Sequence, residues 1–151
     1  MTYEAKGLYY EDFEVGVSHT TARRTITEAD TVAFAGLSGD FNPLHTDEEF
    51  GKNTPFKGRI AHGMLSMAVA TGLANQARIF EGTTVALLSM TINYKGAVLF
   101  GDTIHLVLTP QEKKETSKPD KGIVTFKTEV KNQRDEVVVD GHWVLMQKRK
   151  Q

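Results

Sequence analysis

The chain has 151 residues, 40% of them hydrophobic and 25% charged, with a formal net charge of -1 and no cysteine. That length suits one compact domain over residues 1–151, and the interspersed acids and bases leave no broad basic face for nucleic acid or an anionic membrane. The missing cysteines exclude disulfides, thiolate metal sites and a cysteine nucleophile; with no recognisable targeting segment at either end, they set the expectation of a cytoplasmic protein.

Residues 1–17 are mixed and aromatic, and the loose alternation from Ser18 to Arg24 predicts a first strand. Thr27 followed by Asp30 forms a capping signal, after which Val32, Ala33, Phe34 and Leu37 recur at helical spacing until Gly39 stops the run. Pro43 has no backbone N–H and disfavours helical geometry at Asn42, so the segment Ser38 to His45 must turn. Asp47 to Lys52 reads as a further helical turn and Asn53 to Arg59, with Pro55 and Gly58, as a loop. Gly63 to Phe80 is the most apolar stretch, apolar nearly all round, and predicts a central core helix too short and too polar for a good membrane span.

The remainder reads as strand. Leu88, Met90, Ile92 and Tyr94 alternate with polar residues, as do Ile104, Leu106 and Leu108. Pro110 to Lys121 reads as a charged loop, and Val124 to Val130 pairs with Val137 to Met146 across a turn at Asn132 to Glu136. One buried helix followed by antiparallel strands gives an α+β class, a sheet wrapped round a long central helix in the hot-dog manner. Such a sheet leaves edges unpaired, and covering them with a second copy predicts a homodimer.

The turn gathers the candidate chemistry. Gly39 permits a tight backbone before Asp40, Asn42 is placed to hydrogen-bond its own main chain, and His45 follows the proline. In a functional reading Asp40 and His45 share a water, because adding water to a double bond needs both an acid and a base. Gly63 opens the core helix, where a free N–H carries positive partial charge and is suited to a thioester oxygen that becomes enolate-like. The same residues also admit a turn carboxylate and a satisfied core histidine. A metal set of Asp40, His45 and His62 lacks the usual ligand spacing. His62 itself either lines the site or anchors the loop to the helix, with the anchoring role the favoured reading. Thr71 offers a hydroxyl either toward the turn or back to its own helix. Lys52, Lys57, Arg59 and Lys95 read as solvated surface.

The run Ser38-Gly39-Asp40-Phe41-Asn42-Pro43-Leu44-His45-Thr46-Asp47 resembles the hydratase 2 motif of MaoC-like (R)-specific enoyl-CoA hydratases. The likeness continues through Phe56-Lys57-Gly58-Arg59-Ile60-Ala61-His62-Gly63-Met64 and reaches Phe100-Gly101-Asp102-Thr103. The family implies a hot-dog fold, a dimer or higher oligomer, and reversible syn addition of water to trans-2-enoyl-CoA. It implies no metal or redox cofactor, CoA being part of the acyl-CoA substrate. By position, Asp40 and His45 resemble the catalytic pair, Asn42 a residue supporting them, and Gly63 the donor to the thioester oxygen. Thr71 precedes Gly72-Leu73, where relatives often have a serine. Tyr94-Lys95-Gly96-Ala97-Val98 departs from the pattern, since many relatives have proline before the valine, which puts local strand geometry in question. Two enzymatic rivals are a hot-dog acyl-CoA thioesterase and a dehydratase of acyl-carrier-protein substrates; an acyl-CoA-binding subunit is a third. The Asn-Pro-Leu-His order and the presence of both Asp40 and His45 favour hydration.

Overall fold

The structure, a computed structural model, describes residues 3–150. After a single 3-10 turn at Tyr10–Asp12 come β1 (His19–Thr20), β2 (Arg24–Thr25), α1 (Glu28–Ser38), α2 (Pro43–Thr46), α3 (Glu48–Lys52) and α4 (Gly63–Gln76). Four long strands follow: β3 (Thr84–Tyr94), β4 (Thr103–Glu115), β5 (Lys121–Lys131) and β6 (Val137–Lys148). The sheet is antiparallel in the order β1-β4-β5-β6-β3, with β2 also paired to β4. Leu65, Val69, Ala70 and Leu73 of α4 share one core with Ile104, Leu106, Leu108, Phe126 and Leu145 of the sheet. Burying each such leucine is worth about 1.5–3 kcal/mol relative to exposure. This is the hot-dog arrangement expected from the sequence.

Local signals place the helix ends. Thr27 caps α1 by accepting the Asp30 N–H while Asp30 reaches back to the Thr27 N–H, a reciprocal box that satisfies two orphan donors. At the other end of α1, Gly39 takes the left-handed conformation with φ 77° and donates to the Ala35 carbonyl. The helix of Gly63 to Phe80 stops at Gln76, earlier than its apolar run. There Arg78 adopts φ 57°, with Arg78 N–H on Asn75 and the N–H of buried Ile79 on Ala74, a Schellman closure built on arginine instead of glycine.

Three other expectations change. The strand over Ser18 to Arg24 is two short pieces, β1 and β2, both held by β4. The loop over Pro110 to Lys121 is mostly strand: β4 runs to Glu115, and its charged end pairs Glu115 with Gly122 and Lys113 with Val124. Cross-strand pairing outweighs polarity here, and Pro110 is tolerated beside a register shift between Pro110 and Glu112. Finally α4 is not buried all round, because Met64, Ala68, Thr71 and Gly72 remain exposed on one stripe. Within the departing run Tyr94-Lys95-Gly96-Ala97-Val98, the Lys95 and Gly96 N–H groups both donate to the Val138 carbonyl.

Two histidines, His105 buried and His19 half-buried, link this sheet to pH. Desolvation lowers the pKa of His19 on β1 and of His105 on β4 below the ordinary value of 6.5, and for His105 nearby Arg23 adds to the lowering. A histidine whose folded pKa is depressed contributes stability above the unfolded pKa and loses it as pH falls toward the folded value. The denaturation midpoint should therefore decline as pH drops below about 6.5, ahead of carboxylate protonation. His105→Gln should flatten that decline in a pH series of urea titrations, and an unchanged slope refutes this origin.

Candidate active site

The stop at Gly39 delivers Asp40 to a turn that is built almost wholly from short-range hydrogen bonds. The Ser38 hydroxyl donates to the Phe34 carbonyl and accepts the Asp40 N–H, and Asp40 Oδ1 accepts the Asn42 N–H at 3.2 Å. Asn42 then caps α2, its Oδ1 accepting the Leu44 N–H at 3.0 Å, with Pro43 in the first helical position where a missing N–H costs nothing. Within this short helix the His45 N–H returns to the Asn42 carbonyl. Asn42 thus supports the turn through its cap.

The two histidines are fixed by main-chain carbonyls. His45, 9% exposed, places Nδ1 at 2.8 Å from the Ile60 carbonyl, and His62, 2% exposed, places Nε2 at 2.9 Å from the Asp40 carbonyl. A carbonyl only accepts, so the proton sits on His45 Nδ1 and on His62 Nε2. The His45 Nε2 is left as an unprotonated acceptor in the neutral ring. The rings stack with centroids 3.9 Å apart, and Phe34 packs against His62 at 5.1 Å. His62 therefore ties the Asp40 turn to the start of α4, as its position as an anchor suggested.

Gly63 is the first residue of α4 and its N–H makes no internal hydrogen bond among the described residues. Its missing side chain has a reason: a Cβ there would lie 2.5 Å from the Tyr94 ring, so glycine lets Tyr94 close over the helix start. Tyr94 donates its hydroxyl to Met64 Sδ at 3.5 Å, and burial pushes its pKa up. Asp40, His45, His62 and Gly63 all line one cavity of about 720 Å³, with Phe34, Phe56, Val98 and Val139 supplying apolar wall. Such a cavity suits an acyl chain with polar groups at one side.

Thr71 does not reach this cavity. It lies on the exposed stripe of α4 and spends its hydroxyl on the Ala68 carbonyl at 2.8 Å, the back-bonding alternative. The helix hydroxyl that does line the cavity is Ser66, buried one turn from His62. Its signal in the sequence is helical spacing, since Ser66 lies four residues after His62 and so on the same face. Tyr94 carried no such signal, because its contact with Gly63 joins segments far apart in the chain.

Asp40, His45 and His62 each bring a ligand-type atom within 4.8 Å of the others. The donor set nonetheless falls short of a metal centre. His62 Nε2 is engaged by Asp40, and its Nδ1 is inaccessible and without a partner among the described residues. Only the Asp40 carboxylate and His45 Nε2 face the cavity as free donors, fewer than zinc takes from protein.

Comparison with known proteins identifies the family and the fold. The model of the MaoC like domain matches residues 13–132. The chain is 35% identical over 138 residues to the (R)-specific enoyl-CoA hydratase of Rhodospirillum rubrum, covering 91% of this chain and 90% of that protein. Among solved structures, the monoamine oxidase regulatory protein of Archaeoglobus aligns with TM-score 0.88 at 34% identity, covering 96% of this chain and 97% of that one. The unliganded R-hydratase PhaJ1 of Pseudomonas aeruginosa aligns with TM-score 0.80 at 34% identity over 95% of this chain and 88% of that one.

The carbonyl contacts fix an observable. Long-range proton–nitrogen spectra at neutral pH should show His45 as the Nδ1–H tautomer and His62 as the Nε2–H tautomer. A His45 carrying its proton on Nε2 contradicts the site as described.

Proposed function

The chain belongs to the MaoC-like domain family, and from that membership and the cavity at the start of α4 we propose an (R)-specific enoyl-CoA hydratase. It is a hydro-lyase that adds water reversibly and syn across a trans-2-enoyl-CoA to give the (R)-3-hydroxyacyl-CoA. The observation that carries the chemistry is the setting of His45: a buried imidazole with Nδ1 spent on the Ile60 carbonyl and a ring nitrogen within 4.8 Å of an Asp40 carboxylate oxygen.

Asp40 Oδ1 is occupied by the Asn42 N–H, which leaves the other carboxylate oxygen free. Free Asp40 oxygen and His45 Nε2 are both acceptors, matched to the two hydrogens of one water. In hydration, His45 takes a proton from that water while its oxygen bonds to C3, and electron density moves to the thioester oxygen. The Gly63 N–H, at the positive end of α4, stabilises that enolate. His45 then returns the proton to C2, and because one imidazole handles both ends, H and OH enter on the same face. Atoms balance without metal or redox cofactor, and dehydration retraces the path. The apolar wall of Phe34, Phe56, Val98 and Val139 holds the acyl chain.

Two wider readings complete the proposal. The setting is the cytoplasm, in keeping with a cysteine-free chain; no helix among the described residues is long and apolar enough to cross a membrane. The assembly is a homodimer paired along β3, an edge strand with β6 as its one partner and with Val85, Leu87 and Leu88 exposed.

Purified protein should bleach the conjugated enoyl absorbance of crotonyl-CoA and yield the (R)-3-hydroxy product on chiral analysis. Asp40→Asn and His45→Gln should each lower kcat about a hundredfold or more with little change in thermal stability. Release of free CoA without hydration supports a thioesterase instead, and full activity in Asp40→Asn removes the proposed chemistry. Light scattering behind size exclusion should give twice the chain mass of 16.8 kDa; a monomer rules out the β3 pairing.

A further inference from the structure

Arg59 stands apart from the other basic residues around the site. Its side chain is only 17% exposed, whereas those of Lys52 and Lys95 are 53% and 52% exposed. It is held from three directions. Nε donates to Glu48 Oε2 at 2.9 Å, a terminal amino group donates to Glu28 Oε1, and the guanidinium lies over the Phe100 ring at 5.1 Å from its centre. The two ion pairs push the arginine pKa up, and the arginine in turn lowers that of Glu48.

Those three partners belong to three segments that frame the site. Glu28 opens α1, the helix that ends at Ser38 just before the Asp40 turn; Glu48 opens α3, just after His45; and Phe100 lies in the segment between β3 and β4, next to Leu99. Leu99 makes an antiparallel bridge with Ile60, and the Ile60 N–H returns to the Leu44 carbonyl. Ile60 follows Arg59 directly, and its carbonyl is the acceptor that fixes the tautomer of His45. The peptide that orients the imidazole is therefore flanked by the side chain that binds its surroundings together.

We propose that Arg59 is a positioning residue for His45, acting through the Ile60 carbonyl. Arg59 touches no reacting atom in this scheme. A planar guanidinium serves two carboxylates and a ring face at once, which a lysine ammonium does not reproduce. Without it Glu28 and Glu48 lose their common counter-charge, the chain at Ile60 keeps only its backbone contacts to Leu99 and Leu44, and the contact that orients the His45 imidazole loosens. The inference rests on the hydratase reading for its kinetic consequence, while its structural core concerns only the imidazole.

The test compares Arg59→Met, Arg59→Lys and Glu48→Gln with the unaltered protein. Arg59→Met should lower kcat on crotonyl-CoA by about tenfold to a hundredfold with KM nearly unchanged, the size of effect that follows small misplacement of a reacting group. Arg59→Lys should recover part of the loss. In nitrogen spectra of Arg59→Met, the single Nδ1–H tautomer of His45 should give way to a mixture. Should Arg59→Met fail to fold, Glu48→Gln keeps Arg59 packed on Phe100 and paired with Glu28, and should show a smaller loss in both readouts. A lowered melting temperature with unchanged kcat overturns the proposal, as does a lowered kcat with the His45 tautomer intact. If the unaltered protein hydrates nothing, the functional reading fails, and the tautomer comparison still decides the role of Arg59.

Discussion

The hydrogen bond from His62 Nε2 to the main-chain carbonyl of Asp40 joins the two halves of the site. On one side lies a turn whose shape comes from local rules: a left-handed Gly39, an Asn42 cap and a proline at the start of α2. On the other lies α4, whose position comes from long-range packing on the sheet. The His45–His62 stack and the packing of Phe34 on His62 reinforce that contact. Through it, the acid of the turn, the imidazole stacked on His62 and the free N–H of Gly63 come to line one cavity.

Using main-chain carbonyls to hold both histidines has a chemical consequence. A carboxylate partner would add negative charge beside the enolate that forms during hydration, whereas a carbonyl dipole fixes the tautomer without adding a full charge. The charged groups that steady the region, Arg59 with Glu28 and Glu48, are set behind Ile60. The arrangement therefore leaves Asp40 as the one carboxylate in the cavity lining, while the ion pairs of Arg59 hold the frame.

How legible this was in the sequence depends on the range of the interactions concerned. The α1 cap, the Gly39 stop, the Asn42–Pro43 turn and the start of α4 at Gly63 follow from residues within four positions of one another, and all were readable. The extension of β4 past Pro110 was not, because it depends on pairing with β5, a partner that periodicity does not report. The same holds for Arg59, whose composition resembles that of any surface cation while its three partners lie up to 41 residues away, at Phe100. Thr71 is a different case: a threonine facing away from the core satisfies itself on the preceding turn. Helical phase from His62 selects Ser66 for the cavity face instead.

The openness of the site connects its chemistry to assembly. Met64 and Tyr94, 55% and 52% exposed, form one wall of the cavity, and Tyr94 ends the edge strand β3. A second copy paired along β3 would lie beside both residues and narrow the cavity's access to solvent. Coulombic and hydrogen-bond interactions strengthen as water is removed, so the Gly63 N–H would act on the developing enolate with greater effect in such a pair than in an isolated chain. In this proposal, assembly and turnover are coupled: the edge that is a liability in the single chain becomes the means by which the site is enclosed.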